Sequence, residues 1–345
     1  MTVTTCSDQQ ARLLPKVELH AHVEGSARAS TIAELAHSNG IDFPVEDPAD
    51  LFQFTDLNQF LSIYETICRS LVTVDDFRRI TYEALEDAVA AGVRYREMFF
   101  SPGFVLDLGV TIETVWEGIS IGMAEAHADL DIKCRMILDI DKPSGAAHAE
   151  AMIAFAADQD RDLLIGVGGD NVERGVDHRS FAAAFEAAAR QGLRRTFHAG
   201  EDGPAENIAI AIDVLGCERI DHGFTLLDDA ELTQRVIDLG VALTVCPTSN
   251  VVIANVVPDV ASHPFDRMRA AGVKVTVNSD DPGMMNFDLA DEYAAVRSAF
   301  GYDLETMESL SLAGIDASWA PEDEKKALRS RFEGEFAAVR ALVAD

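Results

Sequence analysis

Four histidines and three acids in this chain fall where strand-like runs end: His20, His22, His198, His222, Glu201, Asp280 and Asp281. In "KVELHAHVEG", His20 and His22 stand one residue apart, so in a strand both point to the same side. "TFHAGEDGP" carries His198 and Glu201, "RIDHG" ends in His222, and "VTVNSDDPG" holds Asp280 and Asp281. An unpaired buried polar group costs about 1–3 kcal/mol, so inward-facing imidazoles need partners. A metal ion satisfies several at once. Three imidazoles and a carboxylate suit zinc. His20, His22, His198 and Asp280 leave a position for water, whose pKa the ion lowers to roughly 7. One zinc per chain is expected, because "LLIGVGGDN" offers neither lysine nor glutamate to bridge a second ion.

Each residue also has a plainer reading. An HxH pair alone is more often surface or hydrogen-bonded histidine than ligand. Glu201 could be a carboxylate favoured at a helix start. His222 could be a hydrogen-bonded strand-end residue, and Asp280 and Asp281 before Pro282 could cap a turn. The joint occurrence outweighs each plain reading. The other five of the nine histidines fall in helix-like or loop segments and read as structural or solvated.

The elements that must position these residues alternate. Strand-like runs are expected at 17–22, 93–100, 132–140, 163–169, 193–198, 218–222, 241–246 and 273–279. Helical patterns such as 205–216, 229–240 and 263–272 lie between them. Such alternation implies parallel strands. An open doubly wound sheet competes, but the count and the polar strand ends favour an α/β (β/α)8 TIM barrel, whose sites lie at the carboxyl ends of its strands. The connection between the first two strands is far longer than a barrel needs. Residues 26–75 are therefore read as a helical lid insertion, and 288–345 as extra C-terminal helices. A single domain over 1–345 is expected.

The composition excludes several classes. Net charge is −31, which disfavours nucleic acid and anionic lipid as partners. No apolar run reaches the ~18 residues of a membrane span. "MTVTTCSDQQ" lacks the basic and apolar regions of a signal peptide, so a cytoplasmic enzyme is expected. The five cysteines are an odd number without a CxxC pair, which argues against a disulfide framework. A homo-oligomer stays open.

From "PKVELHAHVEGS" through "HAGEDGP", "RIDHG", "CPTSN" and "VNSDDPG" to "APEDEKKAL", the chain resembles the adenosine deaminase family of the amidohydrolase superfamily over nearly its whole length. The resemblance implies a (β/α)8 barrel and hydrolysis of a cyclic amidine C–N bond in a 6-aminopurine, with release of ammonia. It implies zinc on His20, His22, His198 and Asp280. Glu201 would protonate purine N1, and burial is expected to raise its pKa for that task. His222 would orient the zinc-bound water and take its proton. Asp280 counts among the catalytic residues as well. His22, Glu24, Gly169 and Asp281 would meet the substrate, with the Gly169 amide at N3 and Asp281 at N7.

Two departures bear on the substrate. Adenosine-specific members often read HxHxDG, whereas here Glu24 replaces the aspartate; members acting on free adenine or on other 6-aminopurine derivatives often carry glutamate. Phe99 stands where adenosine enzymes tend to be polar. "GVGGDN", in contrast, resembles the nucleoside enzymes. Adenosine or 2′-deoxyadenosine is the expected substrate, and free adenine the alternative. Aminodeoxyfutalosine and N6-substituted adenine come third. Glu24, Phe99, Phe100 and the segment 51–70 should discriminate. A non-catalytic barrel is the other class, but such proteins usually lose a ligand or the glutamate, and this chain keeps all of them.

Overall fold

The computed structural model describes residues 6–55 and 57–342. Expectations that touch residues 1–5, Asp56 and 343–345, including the start of the chain and the outer bounds of the domain, lie outside the described residues. The strands, in chain order, are β1 (Lys16–Glu18), β2 (Val93–Phe100), β3 (Lys133–Asp141) and β4 (Leu164–Asp170), then β5 in two short pieces (Arg194–Arg195 and His198–Ala199), β6 (Arg219–His222), β7 (Ala242–Val245) and β8 (Lys274–Val277). All neighbours pair in parallel.

β5 is split because its backbone changes partner. Gly166 and Val167 face Arg194 and Arg195, whereas His198 and Ala199 face Asp221 and His222. Between them Thr196 N–H donates to Val167 O and Asp221 N–H to Phe197 O, so the wall stays continuous. The ring closes past the end of β1, where Asp280 N–H donates to His20 O at 3.1 Å and His22 N–H to Asp280 O at 2.9 Å. These two bonds make the sheet a closed barrel, as expected.

The barrel interior departs from the usual apolar packing. Glu97 and Arg219 form a fully buried ion pair. Glu97 also accepts from Tyr95 Oη and from the Trp319 backbone. The Arg219 guanidinium lies 3.9 Å from the Trp319 ring centre. Glu18 and Arg96 form a second buried pair at 2.7 Å. Phe99, Ile137 and Ile165 make a small interior cluster with Trp319, separate from the main core.

Strand alternation decides two of the expected discriminators. Phe99 points into the barrel under His22, and their rings stack at 5.2 Å. Phe100 therefore points outward and stacks on Trp116 at 5.6 Å. Neither lines the cavity at the barrel mouth. The helix Leu57–Ser70 does reach it, through Phe60, Leu61 and Tyr64. Of the C-terminal helices, Leu304–Ala317 packs against β1 and β8. Among the described residues, no helix is long and apolar enough to cross a membrane.

Candidate metal centre and the cavity above it

The strand ends bring the expected histidines and Asp280 together. Nε2 of His20 lies 3.1 Å from Asp280 Oδ1, and Nε2 of His22 lies 3.4 Å from the same oxygen. The Nε2 atoms of His198 and His22 are 3.3 Å apart. The His222 ring centre is 4.7 Å from that of His20. Ligand atoms of His20, His198, His222 and Asp280 all lie within 4.8 Å of one another. A second such group is formed by His22, Asp139 and His198, so geometry alone joins His222 with His20, His198 and Asp280, and joins His22 with Asp139 and His198.

The backbone is bent to achieve this. His222 has φ +61° and Asp280 φ +66°. A non-glycine residue there costs about 1–3 kcal/mol and persists only when its surroundings demand it. Both sit where a strand ends and the side chain must turn into the mouth.

Supporting contacts orient the donors. His20 Nδ1 lies 3.3 Å from the Thr244 carbonyl, which can only accept, so Nδ1 carries the proton and Nε2 presents a lone pair. Asp221 accepts from Thr244 Oγ1 at 2.7 Å and Thr196 Oγ1 at 2.6 Å, and faces His198 Nδ1 at 3.7 Å. Ser249 Oγ donates to Asp280 Oδ2. His20 Nε2 is buried without a hydrogen-bond partner. A buried lone pair aimed at two more imidazoles and a carboxylate fits a divalent metal ion.

Electrostatics divides the carboxyls. Burial alone would raise Asp280, but positive charge on the imidazoles of His20 and His22, the role a bound metal ion would take over once their lone pairs turn to it, holds it well below the usual carboxylate range. Burial, with Asp280 and Glu173 adding repulsion, pushes Glu201 well above its ordinary value. Its Oε2 is 3.6 Å from His222 Nε2. Asp281 is also pushed well up, by burial and then by Asp280. It lies so close to Gly25 that a Cβ there would fall 1.7 Å from Asp281 Oδ1. One carboxyl of the site is thus pushed toward its ionised form and two toward their neutral form.

Two expected substrate contacts, Glu24 and Gly169, are not among the residues that line the cavity. Glu24 is fully buried and accepts from Ser101 N–H at 3.2 Å. Gly169 faces outward, where a Cβ would meet the Phe197 ring at 2.3 Å. At that strand end the cavity is lined by Asp170, Asn171 and Val172. Its roof is Phe60, Leu61, Tyr64, Phe104, Ile253 and Ala254.

Three residues that the sequence reading missed belong to the site. Glu173 accepts the backbone N–H groups of Gly200, Glu201, Asp202 and Gly203, and Asn207 Nδ2 at 2.7 Å. Burial would raise its carboxyl, but Lys142 and these bonds hold it below its ordinary value. Buried Lys142 donates to the His198 carbonyl at 3.1 Å. Asp139, fully buried, faces His22 Nδ1 at 3.8 Å. "LDIDK" carried a signal, since charges in an otherwise apolar strand imply buried polar work; Glu173 carried none.

A closed parallel barrel with a His/Asp metal site and a carboxyl pushed toward its neutral form at its C-terminal mouth defines a barrel hydrolase of the metal-dependent kind. The chain belongs to the adenosine deaminase family, whose model matches residues 15–334. It is accordingly a hydrolase of a C–N bond. It is 37% identical over 332 residues to the adenine deaminase of Cupriavidus taiwanensis, covering 94% of this chain and 93% of the relative. The crystal structure of adenine deaminase from Arthrobacter aurescens matches with TM-score 0.86 and 34% identity, covering 93% of this chain and 98% of the other. An amidohydrolase from Burkholderia ambifaria with bound zinc matches with TM-score 0.90 and 31% identity, covering 96% and 93%.

Proposed function

We propose that this protein hydrolyses free adenine to hypoxanthine and ammonia, with one zinc ion on His20, His22, His198 and Asp280. The observation that carries the choice of base over nucleoside is Glu24. It replaces the aspartate of adenosine-specific members, and it is buried against the Ser101 amide with no place on the cavity wall. The roof above is mainly apolar and aromatic, which suits a flat base and offers a ribose few partners. The similarity to adenine deaminases supports the same reading over the adenosine expected from the sequence.

The bound metal supplies a Lewis acid that makes water nucleophilic near neutral pH. The chain's residues do the rest. Glu201, held neutral, delivers a proton to N1 and makes C6 electrophilic. Asp281, in its protonated form, donates a hydrogen bond to N7, which accepts in the 9H tautomer of adenine. Asp280, held ionised, receives the proton of the attacking water. His222 faces the same space from beside Glu201 and Asp280. Water adds at C6, the proton held by Asp280 passes to the amino group, which leaves as ammonia, and the proton lost as the C6 hydroxyl becomes the carbonyl restores Glu201.

The test compares kcat/KM for adenine, adenosine, 2′-deoxyadenosine, N6-methyladenine and a 5′-substituted nucleoside, on protein whose metal content is measured. Adenine should lead by at least a factor of about 100 with near one equivalent of zinc. A nucleoside in the lead would reverse the substrate choice, and two equivalents of metal would reverse the one-ion assignment.

A further inference from the structure

Outside the donor set, a buried chain of hydrogen bonds runs from a backbone amide to His222. Phe265 N–H donates to His263 Nδ1 at 3.0 Å. His263 Nε2 lies 3.1 Å from Asn250 Oδ1, and Asn250 Nδ2 lies 3.4 Å from His222 Nδ1. Asn250 is fully buried and His263 is 3% exposed. The Asn250 side chain comes from the helix Pro247–Val252 after β7, and His263 stands just before the helix Phe265–Ala271. Neither touches the cavity.

The direction of this chain is set at its far end. A backbone N–H can only donate, so His263 Nδ1 must accept. Burial, and then Arg267, push His263 down to about 4, so it is neutral near pH 7 and its one proton sits on Nε2. That N–H must donate, so the oxygen of Asn250 faces it and the amide nitrogen faces His222. His222 Nδ1 must then accept.

We propose that Asn250 and His263 are positioning residues that lock neutral His222 in the tautomer protonated on Nε2. The consequences are chemical. A protonated Nε2 cannot ligate a metal ion, so His222 drops out of the donor set and His22 completes it. Nor can it take a proton from water. His222 instead donates a hydrogen bond toward oxygen at C6, and the proton goes to Asp280, whose Oδ2 is 3.9 Å from His222 Nε2. The sequence reading had given that proton to His222. The tautomer stands on the hydrogen bonds alone; its catalytic consequence rests on the proposed deamination.

The test reads the tautomer directly. Zinc-loaded protein labelled with 15N-histidine is examined by long-range 1H–15N correlation, with His222 assigned by the signals lost in His222→Gln. A pyridine-like Nδ1 and a pyrrole-like Nε2 are expected. The opposite pattern would overturn the proposal. Asn250→Asp replaces the donor by an acceptor. It should move the proton to Nδ1 and lower kcat at least about 30-fold, with KM within about threefold and metal content unchanged. His263→Gln keeps a donor toward Asn250 and should retain the wild-type tautomer and most of kcat; His263→Leu should lose both. Wild-type tautomer and wild-type kcat together in Asn250→Asp would also overturn the proposal. If adenine is not turned over, the spectra still decide the tautomer, so the two readings fail separately.

Discussion

Glu173 accepts the backbone N–H of Glu201 at 2.8 Å, and the same oxygen accepts those of Asp202 and Gly203. The loop carrying the acid is thus clamped by a carboxylate from the end of another strand. Charged acceptors of this kind contribute about 1.5–3 kcal/mol per bond, and several act together. Glu173→Gln puts an NH2 group against N–H donors. It should lower kcat by about 10–100-fold through misplacement of Glu201, with KM nearly constant. Steady-state kinetics and metal analysis check this; a change confined to KM would remove the clamp from the mechanism.

Glu201→Gln tests the acid itself. The substitution keeps size and hydrogen bonding but removes the transferable proton. Ammonia release should fall by about 10²–10⁴-fold, while near one equivalent of metal stays bound. Activity that survives would reassign the proton at N1 to another group.

Two buried histidines make stability pH-dependent. Burial, then Lys142, push His178 down to about 4, and burial pushes His263 down to about 4. Their ordinary value is 6.5. Between 6.5 and 4 the unfolded chain binds protons that the folded chain does not, so stability falls with pH across this window and levels off below it. The limit is roughly 3 kcal/mol per histidine. Urea midpoints at pH 7, 5.5 and 4.5 should drop less steeply for His178→Gln than for wild type.

The pair of Glu97 and Arg219 inside the barrel should be costly to break. Arg219→Met leaves Glu97 buried and unpaired, at a cost of about 3–5 kcal/mol. The double change Glu97→Gln with Arg219→Met should recover part of that loss. Denaturant unfolding of Arg219→Met, Glu97→Gln and the double variant measures the coupling, and strict additivity would argue against it.

Gly169 separates packing from substrate contact. A Cβ there would press on a Phe197 ring hemmed in by His178, Phe181 and Phe185. Gly169→Ala should cost about 1–3 kcal/mol, and Phe197→Leu should restore part of it. A raised KM at unchanged Tm would instead return Gly169 to the substrate site.

Much of the centre was legible because strand ends are local features. HxH spacing aims His20 and His22 to one side, and His198, His222 and Asp280 each close a recognisable apolar run. Phe99 and Phe100 show where that reading stops. Alternation requires neighbours to face opposite ways, yet only the closed barrel decides that Phe99 faces in and lies under His22. Glu24 and Gly169 do lie near strand ends, but a spacing does not say that Glu24 is buried against the Ser101 amide or that a Cβ on Gly169 would meet Phe197.

By itself the sequence determined the alternation of strands and helices, the residue types at the strand ends and their order. These follow from period and composition over a few residues. Only the tertiary structure brings out the hydrogen-bond chain behind His222 and the direction in which each acid of the site is pushed. A tautomer depends on a chain of donors that starts at Phe265, and a carboxyl's charge depends on burial and on neighbours from other strands. Neither quantity has a local signature, because both are set by groups far apart in the chain that the closed barrel brings within hydrogen-bonding distance.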